Sequence, residues 1–449
     1  MGQKIDRTYL FERMPVGQAV RRQIIPSIAS QMVILLYNLA DTYFVGLLND
    51  AVQTAAVSLA YSVTLLMTAL ANLFAVGGAG RIAQLLGRRD RDGAREVCAV
   101  SFWFALLASA AFCVLFTLLS SPILRLCGAT DETYALACGY SRWVISVGGT
   151  FSILNTVLAN LIRADGSAFA ASMGVSAGGI INMLLDPLFV LPRFLGMGAE
   201  GAGLATAISN AAGMLILLGI IAARRRVGVV ALRPGDLRAA RRHIGRILRI
   251  GLPSAVQFLL TLVAVGALTK FMSLYDTAAV AALGIVKKLD MLPLYFSIGV
   301  ANGLLPLLAY NYSAEKHERR HRIFLCGCAV AVGFSVVCVA GYEVFAPALV
   351  RIFIGDAQTI AYGTKLLRIM VLAMPMMSVC YPMITQFQAM GRMRESLICS
   401  ILRKGSLDIP LLFVLNALFP LYGCAAVQPI VDCICMIVAI YFYKKLPTA

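Results

Sequence analysis

The sequence predicts an all-α integral membrane protein of twelve transmembrane helices, arranged as two six-helix lobes related by a pseudo-two-fold axis along the membrane normal. Three observations carry this prediction. The 449 residues are 60% hydrophobic and only 14% charged, with a mean hydropathy of +0.82, whereas a water-soluble protein needs about a quarter charged residues to solvate its surface. Apolar stretches long enough for a bilayer, about 20 residues each, recur along the whole chain. The two halves of the chain also resemble each other, which marks an internal repeat.

The stretches follow in order. Ile24 to Leu48 holds one charge, Asp41, while Ala51 to Gly80 and Val97 to Leu124 hold none. Trp143 to Ile162, Gly166 to Pro192 (with Asp186 its one charge) and Gly201 to Ala223 complete the first six. The second six are Ile250 to Thr269, Thr277 to Ala314 (broken by Lys287, Lys288 and Asp290), Ile323 to Tyr342, Ile369 to Gly391, Ser396 to Asn416 and Gly423 to Tyr443. Residues 1–222 are thus read as the first lobe, 223–250 as a basic linker and 251–449 as the second lobe. The linker is expected to lie partly as an amphipathic helix on the anionic membrane face.

The repeat rests on matched segments. Pro26-Ser27 is read as opening the first helix and Pro253-Ser254 the seventh. Asn49-Asp50-Ala51 through Ala55-Ala56-Val57 resembles Tyr275-Asp276-Thr277 through Ala281-Ala282-Leu283. Arg163-Ala164-Asp165-Gly166 matches Gln388-Ala389-Met390-Gly391, and Gly201 to Thr206 matches Gly423 to Gln428. The offset stays between 222 and 227. Six helices per half is an even number, so both halves enter the membrane from one side and enclose a cavity between them.

The net charge of +17 suggests nucleic acid at first sight, but its placement argues otherwise. Roughly three-quarters of the 39 lysines and arginines fall on one side if the spans alternate, the asymmetry that orients membrane proteins. These are in the N-terminal tail, Arg81 to Arg95, Arg163, Arg224 to Arg249, Lys316 to Arg322, Arg392 to Lys404, and Lys444 with Lys445. Both termini are therefore expected in the cytoplasm and the chain in the plasma (inner) membrane, with no nucleic-acid partner. The N-terminal stretch is too polar for a cleaved signal peptide. The twelve cysteines, Cys127 among them, form no C-x-x-C pair and read as small apolar filler.

An acid inside a bilayer costs about 2.5–3.5 kcal/mol on insertion scales and marks a functional site by default. Asp186 follows Asn182 by four, so both occupy one helix face. Asp41, Asn182, Asp186 and Thr206, with Asn155 beside them, are the candidate cation-coupling group. Carboxylates, an amide oxygen and a hydroxyl suit either H⁺ or Na⁺, and two close carboxylates favour retention of a proton. Asn160 is a weaker candidate. Separate hydrogen bonding of each acid for helix packing is the competing reading.

In the second half, Asp290 follows Lys287 by three and Asp408 follows Lys404 by four, so each acid can be neutralised along its own helix; Asp432 is the third acid there. Tyr37, Asn38, Gln257, Asp290, Asn302, Met376 and Gln386 are candidate linings of a substrate cavity, with Met374 and Met377 read equally well as packing. His317-Glu318-Arg319-Arg320-His321 matches the H-E-x-x-H zinc pattern, but Lys316 and three arginines surround it and disfavour a dication. No Walker A sequence supplies ATP energy, and no cofactor is expected.

Asn38-Leu39-Ala40-Asp41-Thr42-Tyr43-Phe44-Val45-Gly46, the loop Leu85-Leu86-Gly87, Tyr310-Asn311-Tyr312-Ser313 and the paired glycine-led starts of helices six and twelve together resemble the multidrug and toxic compound extrusion (MATE) family over nearly the whole chain. The resemblance implies two six-helix lobes around a central cavity. It implies export of cationic, amphipathic organic compounds against an inward H⁺ or Na⁺ gradient, and no enzymatic activity. In the DinF-like branch the coupling acid lies on the first helix, which Asp41 matches, while Asn182, Asp186 and Thr206 match the rest of that site. The other branch places acids on helices seven and ten, where this sequence has none, so coupling is expected in the first lobe alone. A monomer is expected. The alternatives are a lipid-linked oligosaccharide flippase of the related superfamily and, from another class, an intramembrane zinc protease using His317 and His321.

Overall fold

A computed structural model describes residues 8–48, 50–126, 129–225 and 228–445. Asn49, Cys127 and the basic residues Lys4, Arg7 and Arg226 lie outside the described residues, as do the side chains of Ala51 and Ala55. Among the described residues, nine helices are long and apolar enough to span a bilayer singly, and two bent pairs bring the number to eleven.

The first lobe consists of α1 (Val16–Gly46), α2 (Ala51–Gly87), α3 (Arg91–Leu126), α4 (Asp131–Ser141) bent into α5 (Gly149–Ala164), α6 (Ala168–Val190) and α7 (Gly198–Arg224). The second consists of α8 (Ala240–Met272), α9 (Thr277–Ser313), α10 (His317–Arg351), α11 (Ala357–Val371) bent into α12 (Met374–Ala389), α13 (Met393–Ile401) interrupted before α14 (Asp408–Leu418), and α15 (Tyr422–Lys444). Counting α13 with α14 as one interrupted span gives six crossings per lobe. At about 1.5 Å per residue, helices such as α2 and α9, each of 37 residues, reach well beyond the ~30 Å hydrocarbon core.

The repeat survives at the level of single backbone angles. Asp50 and Asp276 both cap their helices, accepting from Val52 N at 2.9 Å and Ala278 N at 3.3 Å. Arg89 (φ 63°) and Glu315 (φ 58°) both take the left-handed conformation just after α2 and α9. The bend of 45° between α4 and α5 has its counterpart in the 43° bend between α11 and α12.

Two sequence expectations change. Pro26 and Pro253 lie inside α1 and α8 rather than at their starts. Proline removes a backbone donor, and beside Pro26 the Ser27 hydroxyl donates to Gln23 O at 2.8 Å. The linker is likewise no separate surface helix. After a short 3₁₀ turn, Pro234–Ala239, the basic stretch from Ala240 runs without a break into the span. These basic residues extend the spanning helix, whose backbone hydrogen bonds already run on through them, so no second element is needed.

The lobes meet along α1 against α9 and α2 against α8, and small residues allow it. A β-carbon at Gly251 would overlap the Leu73 carbonyl, and one at Gly77 the Ile247 carbonyl. β-Carbons at Gly299 and Gly303 would come 2.7 and 2.8 Å from the α-carbons of Ile28 and Ile24. These approaches all lie on the halves of the helices that lead to the basic loops, so the lobes are closed on that face.

The N-terminal segment Tyr9–Arg13 seals the same face. Phe11 is wholly buried and stacks on Tyr310 at 4.7 Å. Glu12 accepts from Tyr310 at 2.7 Å and from Lys316 at 2.6 Å, while Arg319 donates to Phe11 O at 2.8 Å and to Met14 O at 2.7 Å. On the first lobe, Leu10 and Phe11 pack over Gly166, whose φ of +80° and missing β-carbon leave room for them.

Candidate functional site: a buried acid pair in the first lobe

Asp41 sits near the end of α1, Asn182 and Asp186 one turn apart on α6, and Thr206 two turns into α7. Asp186 is 0% and Asp41 6% exposed. Thr206 Oγ1 donates to Asp41 Oδ2 at 3.4 Å, and Asn182 Nδ2 reaches both Thr206 Oγ1 and Asp186 Oδ1 at 3.4 Å. The two carboxyl groups are close enough to interact directly. Among the described residues, Asp41 Oδ1, Asp186 Oδ2 and Asn182 Oδ1 are buried without a hydrogen-bond partner, and neither acid has an ion-pair partner. Buried acceptor oxygens left unsatisfied are costly. Three on neighbouring residues of one hydrogen-bonded cluster, with a hydroxyl among them, form a set that a proton or a small hard cation can satisfy.

Asn155, expected in this group, joins it through Asn210. Its Nδ2 donates to Asn210 Oδ1 at 3.4 Å, and Asn210 Nδ2 donates to Thr206 O at 2.9 Å. Asn155, Asn160 and Tyr37 line a cavity of about 80 Å³ inside the first lobe together with Arg163 and Asn210. Gly179 makes room for the Tyr37 ring, which a β-carbon there would meet at 3.1 Å.

The seven expected cavity residues have different immediate surroundings. Tyr37 faces the first-lobe cavity, and Asn38 donates to Ile34 O of its own helix at 2.9 Å. Gln257 donates to Tyr381 at 3.2 Å. Gln386 is fully buried with neither side-chain atom partnered, while Asn302 and Met376 are half-buried. Asp290 accepts from Gln428 at 3.5 Å, deep in the second lobe. Met374 and Met377 are 1% exposed, as packing residues are. One cavity lies inside the first lobe, and another in the second lobe is lined by Lys287, Lys404, Asp408 and Gln428.

The pairing expected along the second-lobe helices is also replaced. Lys287 donates to Gln428 at 2.9 Å, so Gln428 stands between it and Asp290. Lys404 leaves helical geometry (φ −141°, ψ 87°), and Asp408 accepts instead from Gly405 N at 2.8 Å. Asp432 pairs with Arg403 at 2.9 Å, and that guanidinium lies 4.3 Å from the Tyr381 ring centroid. Arg163, Arg403 and Lys404 had been counted with the basic loops; the first two point inside the lobes and Lys404 lines the second-lobe cavity. A count of charges near span ends cannot tell which way such a side chain turns. The H-E-x-x-H stretch is equally dispersed: His321 bonds Tyr443 and Glu318 pairs with Arg322 at 2.5 Å. Among the described residues no three His, Cys, Asp or Glu side chains cluster as a metal site.

A family model described as MatE matches residues 26–188 and then matches again over 253–414. The chain belongs to the MatE family. The double match falls one copy on each lobe, the second beginning 227 residues after the first, as the repeat requires. Among curated relatives, this MatE-family chain is 29% identical over 437 residues to the multidrug export protein MepA of Staphylococcus aureus, covering 97% of this chain and 95% of that protein. A crystal structure of MATE in the straight conformation superposes with a TM-score of 0.91 at 25% identity over 98% of both chains. A transporter of the MOP superfamily from Pyrococcus furiosus, described as having a binding pocket of reverse polarity and a different function, matches with a TM-score of 0.91 at 25% identity, covering 99% of this chain and 98% of that one. This MatE-family chain is therefore a multi-pass membrane protein built as two six-helix lobes.

Proposed function

We propose that the chain is a secondary multidrug exporter of the plasma membrane. It exchanges cationic, amphipathic organic compounds for H⁺ or Na⁺ by alternating access, acts as a monomer, and has its basic face in the cytoplasm. The observation that carries the coupling assignment is the pair Asp41 and Asp186, buried in the first lobe with no cationic partner and with bare carboxylate oxygens. In the second lobe Asp432 is already held by Arg403, and Asp290 stands as a single acid beside Gln428 and Lys287 rather than as a pair.

The group acts as a clasp between helices. A cation bound among Asp41, Asn182, Thr206 and Asp186 ties α1 to α6 and α7. Its release leaves two carboxylates repelling each other across the α1–α6 contact. Antiport requires that cation and drug favour different states of the lobe, which is a statement about linked binding energies. Similarity to a multidrug export protein supports the substrate class, and the excess of basic residues on one face supports the orientation.

The test is gradient-driven drug efflux from proteoliposomes, with imposed pH or Na⁺ gradients, for the wild type and Asp41→Asn. The variant is expected to fold and to lose gradient-driven export. Normal export by the variant would sink the coupling assignment.

A further inference from the structure

Arg163 is 2% exposed, lies in the last turn of α5, and turns inward. A cation so close to a helix end ordinarily extends to the water beyond it. Here Nη1 donates to Asn160 Oδ1 at 3.1 Å, Nε is buried with no acceptor, and no carboxylate lies within ion-pair distance. A buried guanidinium without a counter-charge is expensive, so its inward position calls for a role.

Its surroundings suggest one. Arg163 and Tyr37 both line the first-lobe cavity. Tyr37 is one helical turn from Asp41. From the acid site a hydrogen-bonded relay, Asp41 to Thr206, Thr206 to Asn210 at 2.9 Å and Asn210 to Asn155 at 3.4 Å, reaches the cavity wall, where Asn155 and the Asn160–Arg163 pair both face the same space. Asn155 retains an unpartnered acceptor oxygen facing this space. Just past Arg163 lies the Asp165–Gly166 turn, covered by Leu10 and Phe11 and tied to Val229 N at 3.3 Å. The path therefore ends under the sealed basic face.

We infer that this cavity is the release route by which the coupling cation leaves the Asp41–Asp186 site for the basic side of the membrane, and that Arg163 is its electrostatic valve. A fixed positive charge on the cavity wall, next to the sealed face, repels a cation that moves from the acids while that face is closed. It thereby prevents downhill entry without drug exchange. When the lobes part on that face, Arg163 gains access to water, its field is screened, and the cation passes. The inference rests on the coupling assignment made above, and it adds a gating residue that has no contact with the coupling acids.

The experiment measures cation entry into drug-free proteoliposomes, using a trapped pH dye under a pH gradient and ²²Na⁺ under a Na⁺ gradient. Wild type, Arg163→Gln, Arg163→Lys, Asp41→Asn and the double variant Arg163→Gln/Asp41→Asn are compared. Drug binding and thermal melting in detergent check that each is folded. Arg163→Gln is expected to raise drug-independent entry of one cation roughly tenfold or more, the scale of removing one poorly screened charge. Arg163→Lys is expected to stay at the wild-type rate, and the double variant to return to it. Three results would overturn the valve: no increase in Arg163→Gln, an equal leak in Arg163→Lys, or a leak that persists in the double variant. Failure of the coupling reading is separate, since it shows as normal export by Asp41→Asn alone. Arg163→Gln that fails to melt cooperatively is replaced by Asn210→Leu, which blocks the same path and is expected to slow coupled efflux at least tenfold without weakening drug binding. An unchanged rate there also overturns the route.

Discussion

Arg403 and Asp432 form an ion pair of 2.9 Å inside the second lobe, each side chain 1% exposed. The two acids at the heart of the first lobe have no such partner. Two lobes of one ancestry of fold thus carry opposite electrostatic solutions: a charge pair that neutralises itself, and an acid pair that needs a cation from outside.

The Arg403–Asp432 pair is expected to be structural. Removing one partner strands a buried charge and costs about 3–5 kcal/mol. Arg403→Gln should therefore lower the melting temperature sharply in detergent, whereas Asp41→Asn, which removes a charge that has no partner, should not. Equal losses in both variants would contradict the contrast between the lobes.

Thr206 links Asp41 to Asn182 through a single hydroxyl, donating to the carboxylate and accepting from the amide at 3.4 Å each. Thr206→Val keeps the shape and removes one ligand, worth about 1–1.5 kcal/mol in a buried site. The cation concentration for half-maximal efflux should rise about tenfold while the maximal rate is retained. Titration of efflux against pH or Na⁺ reads this directly.

Gly251 lies against the Leu73 carbonyl with no space for a β-carbon. Gly251→Leu should keep α2 and α8 apart and hold the basic face open. Spin-label distances across that face should lengthen by several ångströms relative to wild type, with export lost and the protein still folded.

Glu12 fastens the N-terminal segment and gives this seal a pH dependence. Burial raises its pKa, but the hydrogen bonds and charge of Lys316 with the Tyr310 hydroxyl outweigh that and hold it below the ordinary glutamate value. A depressed carboxyl pKa stabilises the fastened form at any pH above the ordinary value, and that contribution is lost as pH falls through the lowered one. Hydrogen exchange at Phe11 should accelerate on acidification into that range, and Glu12→Gln should exchange fast at neutral pH and lose the acid step.

Much of the candidate site was legible in the chain. Asp41 and Asp186 stand out because an isolated acid in an apolar run is costly wherever the run ends up, and Asn182 joins Asp186 through helical spacing alone. That Asn155 reaches Thr206 through Asn210 was not legible, since spacing within α5 does not say how far α7 stands from it. Arg163, Asn210 and the Arg403–Asp432 pair were missed as a set. Two of those four are cations near span ends, where a flexible side chain has water and lobe interior equally within reach.

The sequence by itself determined the solvent, the number of crossings and the two-fold repeat. Those follow from local hydropathy and from segments matched at a constant offset, and neither depends on which helices touch. Only the tertiary structure decided which charges were satisfied. The bond from Thr206 to Asp41 spans 165 positions and the Arg403–Asp432 pair 29, and whether a buried acid finds a guanidinium or is left for a cation depends on helix packing that no local pattern encodes.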